Sequence, residues 1–317
     1  MSRTGRVLVT GAAGFVGSTL VDRLLADGRE VVGLDSFDPF YPPEQKEANL
    51  RAASRHPRFR LERGDVRDAA AVVRAMDGAE AVVHLAALAG VRPSLERPAA
   101  YADVNVSGTA VVADAAVRAG VGRLVFASSS SVYGEREAGP FRETDPVERP
   151  ISPYAATKRA GELLLHAFHH AHGLPVLCAR IFTAYGPRQR PDLAIRRFAE
   201  RILRGEPVPV FGDGSSLRDF TYVDDLVEAL VRALDAPFGY EIVNLGRGET
   251  VTVLRVVEAL ERALGEKARI EWLPRQTGDV SRTWADVGRA RRLLDWTPRV
   301  SVDEGIDRFA AWLRGRS

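Results

Sequence analysis

The sequence predicts an α/β protein built on a doubly wound parallel sheet, with a smaller mixed α/β unit toward its C-terminal end. Short apolar runs recur at residues 6–10, 30–34, 59–62, 81–85 and 123–127, with helical periodicity between several of them. Such alternation implies right-handed crossovers and strands covered on both faces. The first run ends in Thr10-Gly11-Ala12-Ala13-Gly14-Phe15-Val16-Gly17, which opens into a helical pattern through Leu20, Leu24 and Leu25. Beyond Ile181 the character changes, because the Pro- and Arg-rich stretch 186–191 interrupts regular structure.

The remaining elements follow in order. Residues 101–119 and 154–172 carry helical periodicity with an apolar stripe, long enough for exposed helices able to pair with a partner subunit. Residues 175–181 read as a strand, 195–203 as a helix, 207–211 as a strand and 212–216 as a turn. Then come a helix at 224–236, a strand at 241–245 and helices at 254–264 and 301–314. The expected division places residues 1–181, with 217–250 returning, in the first domain, and 182–216 with 251–317 in the second.

With 317 residues, 45% hydrophobic, the chain can bury a substantial core. Its 44 basic and 42 acidic residues nearly cancel, so nothing asks for nucleic acid. No apolar run approaches the roughly 20 residues that span a bilayer, and the start passes into a strand without a signal-peptide pattern. The expectation is a cytoplasmic protein without membrane contact. Cys178 alone cannot form an intrachain disulfide, and six histidines without ligand spacing predict no metal site. Lysine occurs only at Lys46, Lys158 and Lys267, arginine filling every other basic position, so each lysine marks a place where that side chain has a particular use.

The glycine turn lies between a strand and a helix, the context of a Rossmann-type dinucleotide site. Gly11, Gly14 and Gly17 allow a tight turn and close approach of the backbone to a pyrophosphate, which the helix-start amides around Phe15 and Val16 bind. Asp35 ends the second strand where a carboxylate can accept both adenosine ribose hydroxyls. That charge repels a ribose phosphate, so NAD is expected over NADP. Asp65 and Val66 follow the third strand and are placed to cap the adenine, while Leu85, Ala86 and Ala87 end the fourth with small residues that leave room for the dinucleotide. Each residue alone also reads as a loop carboxylate or packing alanine; their order along one sheet favours the joint reading.

Tyr154 and Lys158 stand four residues apart on one helix face. An ammonium near a phenol favours phenolate, which lets the tyrosine take a proton from a sugar hydroxyl near neutral pH. Ser128 to Ser131 end the fifth strand with hydroxyls that can bind the same oxygen. A tyrosine and lysine at this spacing are otherwise a surface pair, and the serine row with the dinucleotide turn reverses that reading.

The motifs TGAAGFVG, HLAALAGVRPSLE, FASSSSVYG, PYAATK, FTAYGP and RDFTYVDD resemble those of extended short-chain dehydrogenases/reductases, and within them UDP-glucuronate 4-epimerases, from Arg6 to about Trp296. The resemblance implies a catalytic trio of Ser129, Tyr154 and Lys158, with Asn105 among the cofactor contacts. It implies that bound NAD is regenerated each cycle through a 4-keto sugar. Arg218 matches the family's diphosphate arginine, with Arg275 and the neighbouring Asp279 further substrate contacts and Arg282 equally a solvated arginine. Val210 and Phe211 resemble the strand along the uracil, and Arg92 fits the substrate loop. Thr183 stands where neutral-sugar relatives carry asparagine, so Thr183 and Arg190 resemble a uronate-reading pair, assisted by Ser130 and Ser131. Arg188, Gln189 and Gly212-Asp213-Gly214 instead resemble neutral-sugar epimerases. The rival readings are therefore a UDP-glucose/UDP-galactose 4-epimerase, then a UDP-glucuronate decarboxylase, then an idle NAD-binding regulator. The two long helices match the family's dimer interface, which implies a homodimer.

Overall fold

The computed structural model describes residues 5–136, 138–274 and 280–315. At its centre seven strands form one sheet: β1 (Val7–Thr10), β2 (Val31–Asp35), β3 (Phe59–Arg63), β4 (Ala81–His84), β5 (Arg123–Ser129), β6 (Val176–Ile181) and β7 (Tyr240–Leu245). All neighbours pair parallel, in the spatial order β7-β6-β5-β4-β1-β2-β3. The order reverses between β1 and β4, which opens a crevice at the carboxyl ends of the strands.

Sequence explains which strands sit where. β1 is buried throughout, Val7 and Val9 joining the core on one face and Leu8 the core on the other. β3 alternates apolar and charged residues as an edge strand should, its charges discouraging further pairing. Beyond the sheet lies a separate core that includes Tyr185, Ile195, Phe198, Val208, Phe220, Leu260 and Phe309. Ala290, Leu294 and Trp296 return to pack with the helix Val223–Asp235 against the sheet.

Several details differ from the expected pattern. Residues 101–119, expected as one regular helix, are resolved into Pro98–Ala102, a π-helical turn at Asp103–Ser107 and Gly108–Arg118. The helix Pro43–Leu50 is too polar for periodicity to announce it. The strand Arg269–Leu273 pairs parallel with Pro207–Phe211 although its side chains are largely exposed. Among the described residues no helix is long and apolar enough to cross a membrane.

The helix Pro153–His172 begins cleanly because Ser152 accepts the Ala155 amide and proline occupies the first turn; Gly173 ends it in the left-handed region. Gly161 lets it approach the sheet, since an added Cβ there would lie 2.6 Å from Phe126 Cζ. One turn from Lys158, the fully buried Glu162 accepts from Arg180 of β6 at 2.8 and 2.9 Å and from the Ser128 hydroxyl at 2.6 Å. Arg159 also reaches Glu162 at 3.0 Å but from a partly exposed position, so removing Arg180 leaves the buried charge with only that partner. Arg180→Met is therefore expected to cost about 3–5 kcal/mol in urea unfolding, and the double variant Arg180→Met/Glu162→Leu to recover most of that loss; equal losses in both would show that burial of the pair contributes nothing.

Candidate active site

The crevice is lined first by the glycine turn. Gly11 adopts φ +69°, and a Cβ there would meet the Ala86 backbone nitrogen at 2.8 Å. At Gly17 a Cβ would fall 2.0 Å from the Gly11 carbonyl oxygen, so only glycine lets the helix Phe15–Ala26 start against the turn. Its N-cap is Gly14, so no side chain covers the first amides. Phe15 is buried in the core, with Val16 packed against it.

Asp35 is tied to this turn. One carboxylate oxygen accepts the Ala13 amide at 2.9 Å and the other the Phe37 amide at 2.8 Å. Lys46, which the sequence flagged only by its rarity, places its ammonium 3.9 Å from Asp35 and donates to the Asp38 carbonyl at 2.9 Å. Its neighbour on the same helix, Asn49, donates to the Ala13 carbonyl at 3.0 Å. Asp65 is held by Arg67, whose guanidinium donates at 2.9 and 2.7 Å and keeps the carboxyl below its usual range. Val66 is buried against Gly108. Leu85, Ala86 and Ala87 remain partly exposed at the end of β4. Asn105, inside the π-helical turn, accepts the Leu88 amide at 2.8 Å and donates to Thr157 Oγ1 at 3.0 Å, joining the loop after β4 to the Tyr154 helix.

Tyr154, Lys158 and Ser129 converge at the end of β5. Lys158 donates to the Ala127 carbonyl at 2.8 Å and lies 5.9 Å from the Tyr154 ring centroid. Ser129 lies close enough to act on the Tyr154 phenol and sits 3.1 Å from Ser131 Oγ, with Ser130 between the two in sequence. In the resting protein the phenol responds first to its own burial, with the Lys158 ammonium turned to a backbone carbonyl. Burial raises Tyr154, while the Ser129 hydroxyl and the Arg190 charge pull it back. Burial also lowers Lys158 to about 7. The physical reason is orientation and desolvation: the ammonium is spent on a backbone carbonyl, and both groups have lost their water.

Arg190 lies close enough for its charge to act on Tyr154 and Tyr41. It donates to both oxygens of Asp192 at 3.0 and 2.8 Å, and its guanidinium stands 5.4 Å from the Phe40 ring centroid. Thr183 is half-buried in a short strand, Thr183–Tyr185, that pairs with Phe220–Tyr222. Arg188 is directed to Asp22 at 2.7 Å. Arg92 stacks 4.8 Å over Phe211, bringing together two predicted substrate residues from different parts of the chain. Val210 differs from the expected pair: strand alternation turns its side chain into the second core and leaves Phe211 toward the cleft side. Arg218 occupies the strand Leu217–Arg218 and donates to the Leu217 carbonyl at 2.9 Å, while Leu217 bridges to Arg282. Arg275 and Asp279 lie outside the described residues. The neighbouring Asp219, unremarked in sequence, is fully buried and accepts the amides of Arg247, Gly248 and Ala285; burial pushes it up to about 6. Among the described residues no cluster of His, Cys, Asp or Glu is suited to a metal ion.

Known proteins match this arrangement over nearly its whole length. The sequence profile of the NAD dependent epimerase/dehydratase family matches residues 7–246. A UDP-glucuronate 4-epimerase of Thermodesulfobacterium geofontis is 41% identical over 311 residues, covering 97% of this chain and 96% of that protein. The structure of UDP-glucuronic acid 4-epimerase from Bacillus cereus, in complex with UDP-glucuronic acid and NAD, superposes with a TM-score of 0.93 at 34% identity, covering 98% of this chain and 100% of that one. UDP-glucose 4-epimerase of Thermotoga maritima, with UDP-glucose, gives a TM-score of 0.90 at 33% identity, covering 98% and 99%. On sequence and on fold, this chain belongs to the NAD dependent epimerase/dehydratase family.

Proposed function

We propose that this protein is an NAD-dependent isomerase that interconverts UDP-glucuronate and UDP-galacturonate by inverting C4 of the sugar. The observation that carries the reading is the convergence of Ser129, Tyr154 and Lys158 with Arg190 beside the same phenol, in a chain whose relatives include UDP-glucuronate 4-epimerases.

The crevice fits a dinucleotide, because the amides after Gly14 carry no side-chain cap and can receive an anion, and Asp35 is tied to the same turn at its ribose end. Gly11, Gly14, Phe15, Val16 and Gly17 bind the pyrophosphate, Asp35 the adenosine ribose, with Asp65, Val66, Leu85, Ala86, Ala87 and Asn105 shaping the rest. When bound, NAD supplies a reversible hydride acceptor at C4.

Ser129 orients the sugar 4-hydroxyl toward Tyr154, which removes its proton as the carbon is oxidised to a ketone and returns it when the opposite face is reduced. Lys158 supports the step: its ammonium, disfavoured by burial, is stabilised once Tyr154 becomes anionic. Arg218, with Arg92 and Phe211, holds the nucleotide diphosphate and base, leaving the sugar free to turn over. Arg275 and Asp279 belong to the same proposed contact set, as does the backbone at Val210.

A 4-keto uronate is a β-keto acid, which loses carbon dioxide when its C5–C6 bond aligns with the carbonyl π system. Arg190, assisted by Thr183, Ser130 and Ser131, holds the carboxylate near the ring plane and prevents that alignment. The sheet unit thus binds cofactor, and the second core binds nucleotide. The homodimer reading is supported by exposed Leu163 on one of the helices expected to pair, and by a groove lined by Val111 and Phe168 of those helices with exposed Val73 of the helix Ala69–Met76. A cytoplasmic setting suits a nucleotide-sugar substrate.

The primary test incubates purified protein, without added NAD, with UDP-glucuronate and separately with UDP-glucose, and resolves products by chromatography and proton NMR. UDP-galacturonate from the first alone is expected, with Tyr154→Phe slowing it about 10²–10⁴-fold; UDP-galactose from the second would replace this reading with the neutral-sugar one. Arg190→Ala and Thr183→Ala are expected to release more UDP-pentose and to lose preference for the uronate, and unchanged product ratios would remove the carboxylate role. Because the folded-state value of Lys158 lies below its unfolded one, the folded form binds fewer protons between about pH 7 and 10.5, and its burial is least unfavourable at the alkaline end. Any stability advantage of Lys158→Met in cofactor-free protein should therefore shrink as pH rises through that window, measured by denaturant unfolding.

A further inference from the structure

A buried chain of polar groups runs beneath the crevice, and none of its members belongs to the reacting set. Its middle is His84, the last residue of β4 and 1% exposed. Distances fix the proton on one ring nitrogen, and burial, which keeps the ring neutral, leaves the other bare. The Thr109 hydroxyl is 2.6 Å from the Asn105 carbonyl oxygen, which has no proton to offer, so Thr109 donates there. Thr109 Oγ1 lies 3.1 Å from His84 Nε2 and has only acceptor capacity left, so Nε2 carries the proton. At the other end Thr10 Oγ1 accepts the Ala86 amide at 3.1 Å and lies 2.7 Å from His84 Nδ1. With Nδ1 bare, the Thr10 hydroxyl donates to it, and every polar atom of the imidazole is satisfied in one sense only.

The same direction of donation continues to the reacting tyrosine. Asn105 Nδ2 donates to Thr157 Oγ1 at 3.0 Å, and the Thr157 hydroxyl donates to the Tyr154 carbonyl at 2.8 Å. We infer that His84 is a positioning residue, fixed as the neutral Nε2–H tautomer, that locks the glycine turn through Thr10 to the π-helical turn through Thr109 and so sets where Asn105 holds the Tyr154 helix. A proton on Nδ1 would make the Thr10 oxygen accept twice, from Ala86 and from the ring, and leave its own proton without this acceptor. The groups against the ring enforce the neutral form: Phe126 lies 5.8 Å away centroid to centroid, and burial with the Lys158 charge holds His84 down to about 3.

The test uses the full-length protein as purified, labelled with ¹⁵N-histidine, and records long-range proton–nitrogen correlations from about pH 5 to about 9, across the range in which histidines ordinarily titrate. The His84 signals, identified by their loss in His84→Gln, are expected to show one protonated Nε2 and one bare Nδ1 at every pH. In kinetics, His84→Leu is expected to lower kcat about 10–100-fold, as displacement of a reacting group does, with KM for the nucleotide sugar changed less than about twofold. His84→Gln, which offers one acceptor and one donor from a planar group, should recover most of kcat. A protonated Nδ1, a signal that titrates, a His84→Leu enzyme as fast as the wild type, or no recovery by glutamine overturns the inference. If His84→Leu fails to fold, the wild-type spectrum decides. Only the kinetic arm rests on the proposed epimerase reading: absence of any wild-type turnover counts against that reading, whereas the spectrum reports on His84 alone.

Discussion

The arrangement depends on how closely the helix Pro153–His172 can lie against β5. Gly161 removes the one Cβ that would strike Phe126, and the buried Glu162 then reaches both Arg180 and Ser128. Both conditions are needed. Without the glycine the helix stands off from the sheet; without Arg180 a carboxylate sealed in the core keeps only the partly exposed Arg159 to meet its charge. Because Lys158 is one turn earlier on the same helix, this contact also sets its reach to the Ala127 carbonyl and places Tyr154 over the serines that end β5. A packing constraint therefore becomes the geometry of a proton-transfer site.

The remaining polar groups follow the same logic of replacing water with fixed partners. Asp35 spends its two oxygens on the amides of Ala13 and Phe37, Asp219 gathers the amides of Arg247, Gly248 and Ala285, and Asn105 spans from Leu88 to Thr157. Each costs desolvation and returns a rigid corner in the chain. These corners surround a crevice whose floor is made of small side chains and backbone, so rigidity is supplied from behind rather than from the ligand side.

Sequence made the local features legible. A glycine turn between strand and helix, a carboxylate at the end of β2 and a tyrosine four residues before a lysine are patterns whose chemistry depends on neighbours in the chain, and the parallel-sheet class and the family resemblance were legible with them. What escaped depends on distant partners. Lys46 sits on a polar helix with no apolar period, and its meaning comes from Asp35 across the turn. His84 ends an otherwise apolar strand, and its partners Thr10 and Thr109 come from other elements. The π-helical turn shifts hydrogen-bond register by one residue without disturbing the apolar stripe that announces a helix. The balance of forces on Tyr154 was likewise invisible, because spacing along a helix reports proximity to Lys158 but not the loss of water around both groups.

The two cores are interleaved along the chain. Segments on both sides of β7 build the second core, while β7 itself completes the sheet, and the stretch ending at Trp296 returns to the sheet before Phe309 closes the second core. No single cut yields two whole pieces. Recombination that exchanges one contiguous block would split both cores, so what the cleft grips is more readily altered by point substitution than by swapping a module.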